Sequence, residues 1–185
     1  MIRTLTALAA VLALGAGLTA CETATPYQPL APHSAVSGGF TDQRLDADHF
    51  RVTFSGNSMT ARQTVENYLL YRAAELTVSQ GYDWFVTVDR HTDTRTTTYV
   101  DPMPGPYGYY WRPYWRFHAG FGWRSWDPWI GDPFWADRYD VTTIDRYEAQ
   151  ADIAVGHGPK PADNPRAFDA HEVMANLGPN IVRPH

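Results

Sequence analysis

Three groups of residues in this chain have types and spacings that could do chemistry. The first is Cys21, the sole cysteine among 185 residues, whose sulfur is a nucleophile of a kind that serine and threonine do not offer. The second is Asp89, His91 and Asp93, which alternate and would share one face of an extended strand. Carboxylates and an imidazole could begin a metal site, but side chains two apart converge on an ion only with help from elsewhere, and zinc usually takes three or four ligands held by outer hydrogen bonds. A solvated strand face is the plainer reading, so no metal is assigned. The third is a set of tryptophans, Trp111, Trp115, Trp123, Trp126, Trp129 and Trp135, which holds six of the chain's seven and suits partner binding. His157 with Asp152, and His171 with Glu172, lack a nucleophile beside them and read as surface polar pairs. The chain has no Gly-x-Ser-x-Gly elbow, phosphate loop or His-Glu-x-x-His. No catalytic residue and no cofactor is therefore assigned, and an enzyme is not expected.

The setting of Cys21 decides its chemistry. Arg3 supplies positive charge, Leu5 through Gly17 are dominated by Leu, Ala, Val and Gly, and small residues follow, which are the three parts of an export signal. At about 13 residues the apolar run is too short to span a bilayer, which takes roughly 20. Leu18-Thr19-Ala20-Cys21 resembles the lipobox of bacterial lipoproteins. The resemblance implies transfer of diacylglycerol to the Cys21 thiol, cleavage before it, and acylation of the new amino group by a fatty acid of the palmitate kind. One chain anchors only marginally at about 0.8 kcal/mol per buried methylene, whereas two or three hold stably. Glu22 follows, and in the sorting logic the resemblance brings, only Asp there would argue for the inner membrane, so an outer-membrane anchor facing the periplasm is expected.

Loss of a 20-residue leader leaves 165 residues, enough for one domain with a real core. The chain carries 15 Lys+Arg against 20 Asp+Glu, a net charge of −5, or −6 once Arg3 leaves with the leader. An acidic balance argues against nucleic acid or anionic lipid headgroups as partners. The organisation expected is a signal peptide over 1–20, a lipidated N-terminus and flexible Pro-containing tether over 21–48, and a single domain over 49–182 with an aromatic insert at 101–139.

Within that domain Phe50, Val52 and Phe54 alternate with polar neighbours and predict a strand. Thr60 and Gln63 form a capping-box pattern for a helix from about Ala61 to Gln80 that Gly81 stops. Val65, Leu69, Ala73 and Leu76 give it a core stripe, with Arg62, Glu66 and Gln80 facing water. Tyr82 through Val88 predict a second strand and Tyr147 through Val155 a third. Asp169 caps a short helix to about Leu177, closed by Gly178-Pro179. The fold class expected is α+β: a two-layer sandwich on a small three-stranded sheet (strand-helix-strand-strand), a short C-terminal helix, and a long Gly/Pro-rich aromatic excursion. A right-handed crossover makes the first two strands parallel, either adjacent or with the third, antiparallel strand between them; both fit, and the split arrangement is preferred because the second and third strands flank the excursion as a long hairpin does.

Arg51-Val52-Thr53-Phe54-Ser55-Gly56-Asn57, Leu69-Leu70-Tyr71-Arg72-Ala73-Ala74-Glu75-Leu76 and Gly81-Tyr82-Asp83-Trp84-Phe85 together resemble a family of small, uncharacterised proteobacterial envelope lipoproteins. That resemblance covers about residues 38–95 and 169–177 and implies no site beyond Cys21. The aromatic insert lies outside it. Its rings could fold back over the sheet, form an exposed platform for an envelope protein or cell-wall glycan, or dip into the membrane interface. The function expected is a lipid-anchored, non-enzymatic structural or interaction module; the alternative is a glycan-binding or metal-dependent hydrolytic envelope protein that uses the aromatic loop.

Overall fold

A computed structural model describes residues 23–88, 110–119, 122–126 and 144–184. In chain order these form β1 (Gly39–Arg44), β2 (His49–Ser55), α1 (Arg62–Ser79), β3 (Trp84–Thr87), β4 (Tyr114–Ala119), β5 (Gly122–Trp126), β6 (Ile144–Gly156), β7 (Ala167–Asp169) and α2 (Ala170–Leu177), ending in a 3-10 turn at Gly178–Asn180.

The seven strands make one sheet, antiparallel at every pairing. This overturns the small three-stranded sheet expected from sequence, although the α+β class remains roughly compatible. The predicted strands are β2, β3 and β6, and β6 lies between the other two. At thirteen residues β6 is long enough to hold β2 along one side while β4 takes its first half and β3 its last four residues on the other. β1 extends the sheet beyond β2, β5 beyond β4, and β7 beyond β3.

Alternation along the strands sorts the two faces. Phe50, Val52 and Phe54 of β2, Phe85 of β3, Trp115 of β4 and Ala149, Ala151, Ile153 and Val155 of β6 are buried together with the inner residues of α1 and α2. The small side chains of β6 are functional here: Ala149 sits between Phe54 and Trp115, so two large rings from flanking strands share the space one alanine leaves. α1 is buried on nearly every side, including Val65, Glu66, Leu70, Tyr71, Ala74 and Thr77. The single core stripe expected from sequence understates it, because the sheet, α2 and the N-terminal segment all pack against this helix. Glu66, expected in water, is only 3% exposed.

Helix ends show which local signals operate. The capping box does not form: Ala61 is the N-cap without a side-chain bond, and Thr60 Oγ1 instead accepts from the Thr25 and Asn57 amides. At the other end Gly81 takes φ +85°, its amide donates to Val78 O and that of Tyr82 to Thr77 O, the paired bonds of a Schellman stop. Asp169 caps α2 as expected, its carboxylate accepting from Glu172 N at 2.9 Å.

The stretch expected to be a tether is instead part of the domain. Thr25, Tyr27 and Gln28 are buried, Tyr27 N donates to Val182 O, and its ring packs on Phe40, Tyr68 and Tyr71. Pro29 bridges to Phe40, and residues 39–44 form β1. Gly38 has φ +99°, and a Cβ there would meet Ser55 O at 2.4 Å, so glycine lets this segment close against β2.

Candidate functional site

The helices cover one face of the sheet and leave the other to a row of polar and aromatic side chains. Strand period two decides the membership: the residues between the core positions of β2, β6 and β4 are Arg51, Thr53 and Ser55, then Glu148, Gln150 and Asp152, then Tyr114, Arg116 and His118. Cross-strand register then places opposite charges side by side. Arg51 donates to both oxygens of Asp152, at 2.7 and 2.9 Å. Glu148, buried to 8% exposure, accepts from Ser55 of β2 through one oxygen and from Arg116 of β4 through the other.

Aromatic rings continue this arrangement toward β5. The Arg116 guanidinium lies 4.6 Å from the Trp123 ring centroid and that of Arg146 lies 5.8 Å from it, within cation–π range. His118 meets the same ring edge-on at 5.4 Å. Tyr114 is exposed and its hydroxyl donates to Ser125 of β5. Arg116 is thus held from two sides, by a carboxylate and by an indole, on a face that no helix covers among the described residues.

The geometry favours contact over acid–base chemistry. Glu148 and Asp152 are four residues apart on one strand, roughly 13 Å at 3.3 Å per residue, whereas paired carboxylates that cleave glycosides stand about 5–9.5 Å apart. Each is also bonded to an arginine of a neighbouring strand.

The tryptophans singled out from sequence separate into different environments. Trp111 and Trp115 are fully buried and so are withdrawn as partner-binding candidates. Trp111 meets Phe85 and Phe168 edge-on, and Trp115 meets Tyr147. Trp115 is core because β4 lies beside β6 and places this ring next to Ala149, and Trp111 because the chain just before β4 lays its ring against Phe85 of β3 and Phe168 of β7. Trp123, at 39% exposure, remains accessible. Trp126 lies in β5, but its side chain, together with Trp129 and Trp135, lies outside the described residues. Cys21, the leader and the Asp89, His91 and Asp93 set also lie outside them. The His157 ring meets that of Tyr82 at a tilt, centroids 4.6 Å apart, and His171 is exposed on α2.

Two features were missed from sequence. Tyr114-Trp115-Arg116-Phe117-His118 has a strand period, large apolar at 115 and 117, which the surrounding density of rings, prolines and glycines masked. In the turn before β2, ligand atoms of Asp46, Asp48 and His49 lie within 4.8 Å of one another. Asp46 Oδ1 there accepts from the Asp48 and His49 amides and meets His49 Nδ1 at 2.8 Å, so its bonds are those of a capped turn. Hydrogen bonding to Asp46 raises the His49 pKa, and the same bond lowers that of Asp46.

Among the described residues no helix is long and apolar enough to cross a membrane. Comparison with protein-family models, curated proteins and solved structures gave no match.

Proposed function

We propose that this chain is a lipid-anchored protein of the cell envelope, held through Cys21 at the periplasmic face of the outer membrane, and that its domain is a non-enzymatic interaction module. Its contact surface is the helix-free face of the sheet, centred on Arg116 and Tyr114. The observation that carries this reading is the ordering of Arg116 between Glu148 and Trp123 beside the exposed Tyr114 ring. Arginine and aromatic side chains dominate binding hot spots, and a guanidinium already fixed loses little rotamer freedom on meeting a partner. The anchor is supported by the leader and by Leu18-Thr19-Ala20-Cys21.

The test is in-cell cross-linking of the full-length protein and of its Arg116→Ala variant, with captured proteins identified by mass spectrometry. A partner captured by the parent and lost from the variant, both remaining folded, is expected. Identical partner sets would exclude this face as the contact.

A further inference from the structure

The start of the described chain and the sheet both point to one end of the domain. Thr23 O accepts from Asn57 Nδ2 at 2.6 Å, and Thr25 is bonded into the Asn57–Thr60 turn. Only Glu22 separates Thr23 from Cys21. Two residues reach at most about 7 Å, so an acylated Cys21 leaves no length for the domain to stand off from the bilayer.

The surface at that end suits lipid. Met59, at the turn that holds Thr23 and Thr25, is 57% exposed, and Val182, beside Tyr27, is 59% exposed. These are the two most exposed large apolar side chains among the described residues. Val182 lines a cleft of about 350 Å³ together with Ala24, Pro26, Tyr68 and Ile181 among others. The stretches Thr23–Tyr27, Asn57–Thr60 and Asn180–Arg183 contain no carboxylate in a chain of 20 acidic residues, and Arg183 supplies a positive charge. Arg183 lies 3.7 Å from the Glu75 carboxylate, so the charge beside Val182 is close to balanced and the exposed apolar side chains dominate the contact offered to headgroups.

Sheet register carries the β4–β5 hairpin to the same end. β2 stops at Ser55, opposite Glu148, whereas β6 runs on through Arg146 to Ile144 with β4 beside it. Trp123 pairs with His118, which pairs with Arg146. It therefore lies two residues beyond Glu148, roughly 7 Å at the strand rise, a distance equal to the reach of Cys21 beyond Thr23. An exposed indole with two guanidiniums beside it is the combination favoured at headgroup depth.

We propose that the domain docks directly on the phospholipid surface through this end, with Met59, Val182 and Trp123 at headgroup depth and β6 rising from the bilayer, so that the helix-free face is presented sideways. The proposal rests on acylation of Cys21. It is tested with the purified full-length lipoprotein in vesicles of phosphatidylethanolamine and phosphatidylglycerol, carrying one nitroxide label at Met59→Cys, Val182→Cys, Trp123→Cys or Lys160→Cys. Lys160 follows the opposite end of β6, roughly 40 Å along the strand from Ile144. Labels at 59, 182 and 123 should be relaxed more by oxygen than by a water-soluble nickel chelate, and the label at 160 the reverse. If the protein floats with the vesicles and its mass carries the acyl groups, yet labels at 59 and 182 show the same water-exposed pattern as 160, direct docking is overturned and the anchor stands. If the acyl mass is absent and the protein does not float, the anchor reading fails and docking fails with it. Met59 and Val182 are exposed, so these two variants keep the test valid should Trp123→Cys disturb the hairpin.

Discussion

Glu66 concentrates an electrostatic cost at one residue. Burial pushes its carboxyl up to about 7, opposed by nearby Arg62, and among the described residues Oε1 has no hydrogen-bond partner. The sign of the consequence follows from proton counts. Below the ordinary value of 4.5 the carboxyl is protonated in folded and unfolded chains alike. Between 4.5 and about 7 the unfolded chain has lost the proton and the folded one keeps it, so stability falls as pH rises and levels off above 7. At 1.36 kcal/mol per pKa unit the loss is roughly 3 kcal/mol. Glu66→Gln has no charge to suppress. Denaturant titrations should find the variant equal to the parent near pH 4 and more stable by up to roughly 3 kcal/mol at pH 8; an unchanged pH slope would assign the effect to another group. Glu148 is the contrasting case: also buried, at 8% exposure, it has hydrogen-bond partners on both oxygens, Ser55 and Arg116.

At the scale of elements, the N-terminal segment behaves as an additional strand-like layer over α1. Tyr27 ties it down: its ring touches Phe40, Tyr68 and Tyr71, its hydroxyl donates to Glu75, and burial with that hydrogen bond raises its pKa. Tyr27→Ala should lower unfolding free energy by about 3–5 kcal/mol, the range for emptying a buried aromatic site. A shift of the urea midpoint at constant slope would show it, whereas a residue in a free tether would give no shift. The hairpin of β4 and β5 shows the converse. Its inner ring, Trp115, is indispensable packing, while Trp123 on the opposite face can be altered at much smaller cost to the fold.

For the whole molecule, the proposed anchor and the packed N-terminus reinforce each other. An acylated Cys21 two residues before the domain would restrict orientation as well as location, and the helix-free face would be offered to partners in the plane beside the membrane. Cys21→Ala should shift the protein to the soluble fraction or leave it retained with its leader uncut, read by fractionation and intact mass. A variant still acylated and processed normally would remove the anchor, and with it the membrane frame for every contact proposed above.

Local patterns sufficed where the cause of structure is local. The i, i+3, i+4 spacing of Val65, Leu69, Ala73 and Leu76, the left-handed Gly81, the Asp169 cap and the alternation of β2 and β6 were all legible because neighbours within a few residues produce them. The capping box at Thr60 failed because Thr25 and Asn57, one of them 35 residues away, compete for the same hydroxyl oxygen. Which tryptophans are core and which exposed, why Glu66 is dry, and how a Pro-containing stretch becomes part of the domain depend on β6 accepting strands along both sides. Those pairings join residues more than a hundred positions apart, such as Arg51 and Asp152. The amino-acid order by itself therefore determined three of the seven strands, the two helices, the stop at Gly81 and the cap at Asp169, while only the tertiary pairing decided the remaining strands and inside from outside, because burial belongs to the contact and not to the residue.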